Sequence, residues 1–150
     1  FKYEIVKEGD LISIINTEIK FYVIETPGHT LDHIVYVDSN HLFCGDTLFA
    51  CGCGRLFEGS YDEMFNSLSK ISSLKPNTKI YCAHEYTKEN IKFALTIDSN
   101  NKELNERSNK LQNIEITIPS LLKDELETNP FLRAKTSEEF KLIRKKKDEF

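Results

Sequence analysis

No stretch of this 150-residue chain approaches the roughly 18 consecutive apolar residues of a membrane-spanning helix, so no such helix is expected. The basic excess of a general nucleic-acid binder is also missing. Lys and Arg number 20 against 24 Asp and Glu, a net charge of −4. Phe1 to Asp10 is charged and has no apolar run of the secretory kind. There is no internal repeat and no low-complexity tract. The first residue is Phe1 rather than Met, and the chain is read as a fragment that starts within a longer protein. Cysteine is sparse: Cys44, Cys51, Cys53 and Cys82. That is too few for a disulfide-stapled scaffold of this length, and they read as reduced thiols of a cytoplasmic protein. The composition, 39% apolar and 29% charged, suits an ordinary globular core.

The first part of the chain reads as sheet. Tyr3–Val6, Leu11–Ile15, Ile19–Glu25, Ile34–Val37 and Leu42–Cys44 are rich in β-branched and aromatic residues. Gly9-Asp10, Asn16-Thr17 and Asp38-Ser39-Asn40 break them as turns, and such short connections favour antiparallel pairing. A glycine-rich loop comes next, Gly45 to Gly59. Ser60-Tyr61-Asp62-Glu63 then reads as a capping box opening a helix with Tyr61, Phe65, Leu68, Ile71 and Leu74 at helical spacing. Pro76 ends it, and Lys79–Ala83 reads as one more strand. After His84 the character changes. Thr87–Ile97, Lys102–Leu111, Leu121–Glu127 and Glu138–Glu149 read as helices, the last opened by a second box at Thr136-Ser137-Glu138-Glu139. Residues 1–84 carry 7 basic and 11 acidic side chains and residues 85–150 carry 13 of each. The expectation is an α/β domain over 1–84 and a helical domain over 85–150.

Three segments share one design: an apolar strand that ends in a candidate metal ligand. Phe21–Pro27 leads to Gly28-His29, Leu42–Cys44 to Gly45-Asp46, and Ile80–Ala83 to His84. Strands packed side by side bring their ends together. Two imidazoles and a carboxylate at one sheet edge suit zinc or iron with positions left open for chemistry. Each residue also has a plain structural reading: His29 as a turn histidine, Asp46 as a cap on the Gly45 turn, His84 as a satisfied strand-end histidine. His33 is expected to pack or to hydrogen-bond behind a ligand, and His41 to sit in an exposed turn. A cage of Cys44, Cys51, Cys53 and His84 is a weaker alternative, because Cys51-Gly-Cys53 lacks zinc-site spacing.

These residues also carry a resemblance. Thr26-Pro27-Gly28-His29-Thr30, Phe43-Cys44-Gly45-Asp46-Thr47-Leu48-Phe49, Gly52-Cys53-Gly54-Arg55 with Glu58-Gly59, and Tyr81-Cys82-Ala83-His84-Glu85-Tyr86-Thr87 resemble the hydroxyacylglutathione hydrolase (glyoxalase II) family. Asn129-Pro130-Phe131-Leu132-Arg133 and Arg144-Lys145-Lys146-Lys147-Asp148 are similar to its helical C-terminal part. The first motif alone indicates only the metallo-β-lactamase superfamily; the later ones narrow it.

The resemblance implies a fold: the C-terminal half of a metallo-β-lactamase αββα sandwich, followed by a small all-α domain. It implies hydrolysis of S-D-lactoylglutathione to glutathione and D-lactate by a metal-bridged hydroxide, within methylglyoxal detoxification. It implies two divalent metal ions, zinc first, with iron or manganese as alternatives. His29 matches a ligand of the first metal, His84 a ligand of the second, and Asp46 the bridging carboxylate. Arg55, Tyr86, Arg144 and Lys147 match positions that hold glutathione, whose two carboxylates suit Arg and Lys. The implied protein is cytoplasmic, acts on a small molecule, contacts neither nucleic acid nor membrane, and is monomeric when complete.

Apart from the resemblance, Arg144 and Lys147 read as a solvated helix face whose charge complements the helix dipole. The chain also departs from the family. Phe57 stands where Tyr is frequent, and Asp32 where Gly is frequent. The family's Thr-His-x-His-x-Asp-His motif is absent, and the residues before His29 contain no histidine. The expectation is a partial chain, inactive alone. The alternatives are a non-catalytic module keeping part of the glutathione surface, and a different hydrolase of the same superfamily.

Overall fold

The computed structural model describes residues 4–150. Among the described residues, eight strands and six α-helices succeed one another in the order β1 (Leu11–Ser13), β2 (Lys20–Glu25), β3 (Ile34–Val37), β4 (His41–Gly45), β5 (Leu48–Phe49), β6 (Gly52–Cys53), α1 (Tyr61–Ser72), β7 (Lys79–Cys82), α2 (Thr87–Ile97), α3 (Lys102–Leu111), β8 (Ser120–Leu121), α4 (Leu122–Thr128), α5 (Pro130–Arg133) and α6 (Ser137–Glu149). Six strands form one mixed sheet, β1-β2-β3-β4-β7-β8, and β5 with β6 forms a separate hairpin. β1 to β4 pair antiparallel through short turns, whereas β4 and β7 pair parallel, with α1 as the crossover between them.

The alternation of each strand puts two different surfaces on the sheet. Val35, Val37, Leu42 and Ile80 face one way and are buried against Met64, Leu68 and Ile71 of α1 and Phe131 and Phe140 of the C-terminal helices. On the other face, Tyr36, Phe43 and Tyr81 lie in register. Phe21 meets Phe43 edge-on and Tyr81 stacks on it, but Phe43 remains 41% exposed. This is a row of aromatic rings in partial contact with water.

The helical part is joined to that core. β8 hydrogen-bonds to β7 as the sheet's edge, and Phe93, Leu122, Phe131 and Phe140 belong to the main apolar cluster. Between α3 and α4, the fully buried Glu125 carboxylate meets Arg107 Nη2 at 2.5 Å.

Several expectations shift at element ends. Residues 4–6 form no strand, and Tyr3 lies outside the described residues. The Glu25 N–H is taken by the Glu8 carboxylate at 2.6 Å and the Val23 N–H by the Asp10 carbonyl, so that edge of β2 has no partner to offer an earlier strand. β1 stops at Ser13, before a turn in which Asn16 has φ 63°. Both capping motifs act at their helix starts. Ser60 and Glu63 bond reciprocally, whereas Glu139 reaches past Thr136 to the Lys135 N–H.

Ser60→Ala removes the side-chain acceptor of the Glu63 N–H and half of the reciprocal box. The substitution is expected to lower unfolding stability by about 1 kcal/mol, read as a lower urea midpoint at unchanged denaturant slope.

Candidate active site

Strand direction sets the geometry. β2 is antiparallel to β3, and β3 to β4, so β2 and β4 run the same way, as does β7. The segments leaving these three strands carry His29, Asp46 and His84 to one end of the sheet. All three line one cavity of about 530 Å³, together with Arg55, Tyr86, Arg144 and Lys147.

His29 reaches the cavity through a tight passage. Gly28 has φ 154°, and a Cβ there would stand 2.8 Å from Met64 Cβ. Only glycine lets the loop run this close to α1. The His29 Nδ1 lies 2.8 Å from the Arg55 carbonyl. A carbonyl only accepts, so Nδ1 carries the proton and Nε2 keeps a free lone pair, the tautomer of a metal-ligating histidine backed by a carbonyl. Phe57 packs beside the ring, centroids 4.9 Å apart.

Asp46 comes directly after Gly45, and His33 sits behind it. The Asp46 N–H donates to His33 Nε2 at 3.3 Å, and His33 Nδ1 then donates to the Thr47 hydroxyl at 3.0 Å. Burial, and then the neighbouring His29, hold the His33 pKa below the usual histidine range, which keeps this ring neutral. Gly54 passes directly beneath: a Cβ there would come within 1.9 Å of the Asp46 carbonyl oxygen.

His84 Nε2 stands 3.3 Å from Asp46 Oδ1. Its ring stacks on Tyr86 with centroids 5.0 Å apart and lies 6.0 Å from Phe49. One imidazole nitrogen and one carboxylate oxygen are thus near enough to meet a single cation, with a second free imidazole lining the same space. This is nitrogen and oxygen chemistry suited to zinc, iron or manganese. It is also incomplete. Among the described residues, no three His, Cys, Asp or Glu side chains gather as a metal cage. The cysteine alternative fails for a visible reason. Cys44 Sγ bonds the Leu48 carbonyl, Cys51 Sγ contacts the Thr128 hydroxyl, and Cys53 Sγ lies at Arg144. Burial pushes the thiols up, Cys51 to about 12 and Cys53 to about 11.

At the cavity's other end α6 turns its basic side inward. Arg144 is only 3% exposed, so the solvated-face reading does not hold for it. Its Nη1 donates to the Cys53 carbonyl at 3.0 Å and its Nη2 to Asp148 at 2.9 Å, with Phe131 beneath the guanidinium. Among the described residues, Arg144 Nε is buried without a partner. Asp148 also lies 3.7 Å from Arg55 Nε, so one carboxylate draws two guanidiniums together. Lys147 rests on Phe93 and Phe150, and burial followed by the charge of Arg144 holds its pKa below the ordinary lysine value.

Reading the sequence did not single out Phe49 or Cys53 for the cavity, nor Asp148, which pairs with the cavity's Arg144 and Arg55. Asp148 had a signal, an i,i+4 partner for Arg144. Phe49 and Cys53 lie on two-residue strands that leave no period to read.

Residues 2–84 match the metallo-β-lactamase superfamily, and residues 85–150 match the hydroxyacylglutathione hydrolase C-terminus. A hydroxyacylglutathione hydrolase from Rhodospirillum rubrum is 50% identical over 139 residues, covering 89% of this chain and 54% of the relative. One from Psychromonas ingrahamii is 48% identical over 133 residues, covering 86% of this chain and 52% of the relative. Among solved structures, ETHE1 from Myxococcus xanthus superposes with a TM-score of 0.68 at 26% identity, over 93% of this chain and 50% of that one. The chain spans about half the length of the curated relatives it matches. With these two matches following one another along its length, the chain belongs to the metallo-β-lactamase superfamily and ends in a segment of the hydroxyacylglutathione hydrolase type.

Proposed function

We propose that this chain is part of a hydroxyacylglutathione hydrolase that cleaves S-D-lactoylglutathione to glutathione and D-lactate. One observation carries the reading: the Asp46–His84 pair and His29 share a cavity with Arg55, Tyr86, Arg144 and Lys147. Candidate metal donors stand at one end, and cations fit for a peptide's carboxylates stand at the other.

In this reading His29, Asp46 and His84 would hold two divalent ions, zinc first, with His29 a ligand of one, His84 a ligand of the other and Asp46 a ligand shared by both. Such ions, when bound, make water a competent nucleophile near neutral pH and polarise the carbonyl under attack. The chain's own residues supply the rest. The Arg55 carbonyl fixes the His29 tautomer. His33, kept neutral, holds the backbone at Asp46. Arg144, Lys147 and Arg55 draw glutathione's carboxylates to the α6 end, which orients the thioester toward the donors. Tyr86, stacked on His84, offers its ring and hydroxyl at the boundary between the two ends. A thiolate leaves readily, so the cavity needs no dedicated acid. The remaining metal ligands come from sequence outside these 150 residues, as does the sheet that covers the aromatic row of Phe21, Tyr36, Phe43 and Tyr81. The complete protein is a cytoplasmic monomer in this reading, with the division between its two domains at His84.

Residues 1–150 supplied with Zn²⁺ are expected to hydrolyse S-D-lactoylglutathione no faster than background. Activity is expected to emerge on mixing with the N-terminal half of a hydroxyacylglutathione hydrolase relative. Full activity from the chain alone would refute the two-metal reading, and an inactive, non-associating mixture would favour a non-catalytic module.

Charge-assisted hydrogen bonds contribute about 1.5–3 kcal/mol each. Arg144→Ala and Lys147→Ala in the complemented protein are therefore expected to weaken glutathione binding by about tenfold or more, measured by calorimetry. Unchanged affinity in both variants would leave α6 with a packing role only.

A further inference from the structure

Asn129 opens the Asn129-Pro130-Phe131 segment and lies outside the cavity lining, yet it is fully buried. Its Oδ1 accepts the Phe131 N–H and caps α5. Its Nδ2 points away from that helix and donates to the carbonyls of Phe49 and Gly52 at 3.2 and 3.0 Å. Glu125, one helical turn earlier, accepts the Cys51 N–H through Oε2 at 2.8 Å and the Asn129 carboxamide at 3.2 Å. Arg107 occupies its other oxygen. From α2, Asn90 donates to the Ala50 carbonyl at 3.1 Å. Each residue from Phe49 to Gly52 thus has a backbone polar group held by a buried side chain of the helical segment.

That turn joins β5 to β6, a hairpin of two-residue strands that is marginal by itself. Cys51 takes φ 55° in it, a conformation unfavourable for any residue with a side chain. The placement of this turn shapes the cavity on both sides. On one side, the Phe49 ring meets Tyr86 at 5.3 Å and His84 at 6.0 Å. On the other, the Cys53 carbonyl receives Arg144, and the Arg55 carbonyl receives His29.

We infer that Asn129 and Glu125 are positioning residues for the active site: from the helical segment they fix the 49–52 turn, and through it the orientation of His29 and His84. In calling those histidines ligands the inference rests on the proposed function. The positioning itself does not.

Asn129→Ser in the 150-residue chain separates the roles, since serine still caps α5 but its hydroxyl falls short of the Phe49 and Gly52 carbonyls. Glu125→Gln is the second variant, retaining a carbonyl for the Cys51 N–H, and it takes over the test if Asn129→Ser fails to fold. Ile71→Val, on the buried face of α1, controls for lost stability alone. The first readout is the imidazole nitrogen resonances of His29 and His84 in the metal-free chain. The second is Zn²⁺ affinity by titration of the protein complemented with the N-terminal half of a hydroxyacylglutathione hydrolase relative. Asn129→Ser is expected to shift both histidines' resonances and to weaken Zn²⁺ binding about tenfold, the usual effect of disturbing groups behind a ligand. Ile71→Val is expected to change neither. Unmoved resonances in Asn129→Ser, or equal movement in Ile71→Val, overturn the inference. If the unmodified chain, complemented with the N-terminal half of a hydroxyacylglutathione hydrolase relative, binds no Zn²⁺, the ligand reading fails, while the histidine resonances still decide the positioning claim.

Discussion

The parallel pairing of β4 with β7 governs where this molecule can do chemistry. Two antiparallel turns bring β2 and β4 into the same direction, and the α1 crossover adds β7 to it. Three strands then end on one side of the sheet. The side chain just beyond each strand is delivered to a common edge, with no long-range coincidence required. A hairpin in place of the crossover would send the His84 end of β7 to the opposite edge from Asp46. The pair at 3.3 Å is a consequence of topology before it is one of side-chain attraction.

Around that edge, packing takes over what topology leaves loose. The loops after β2 and β4 carry little regular structure, so their positions rest on close backbone approach and on individual hydrogen bonds. Gly28 lets the first loop press on α1, and Gly54 lets the later segment pass under Asp46. The Arg55 carbonyl and His33 then fix ring and backbone orientation. The helical segment closes the cavity from the far side. It does so with buried polar groups, Arg144 on Cys53 and Asn129 with Glu125 on the hairpin turn. Such groups are costly to bury unpaired, so they tolerate few alternative arrangements.

The two faces of the sheet carry different burdens. The α1 side is a filled core. The other side exposes stacked rings, an arrangement that isolated soluble domains tend to avoid and that suits a partner sheet. The curated relatives are about twice as long as the chain's match to them.

Much of this was legible in the residues alone, for identifiable reasons. β3, α2 and α3 fall where alternation or helical spacing puts them, because each is long enough to repeat its own period and is bounded by turns or caps. Strand ends singled out His29, Asp46 and His84, and the family resemblance added Arg55, Tyr86, Arg144 and Lys147; all seven line one cavity. The β5–β6 hairpin, β8 and α5 were not legible. Two to four residues contain no period, and their conformations depend on partners 30 to 80 positions away, such as Asn129 for the Phe49 turn. Nor does sequence spacing tell a solvated basic face from a buried one. Arg144 and Lys147 satisfy both patterns, and only the docking of α6 against Phe93, Phe131 and Cys53 turns them inward. Residue order determined which groups stand at strand ends; burial, which is a property of the folded whole, decided which of them face one another across a cavity.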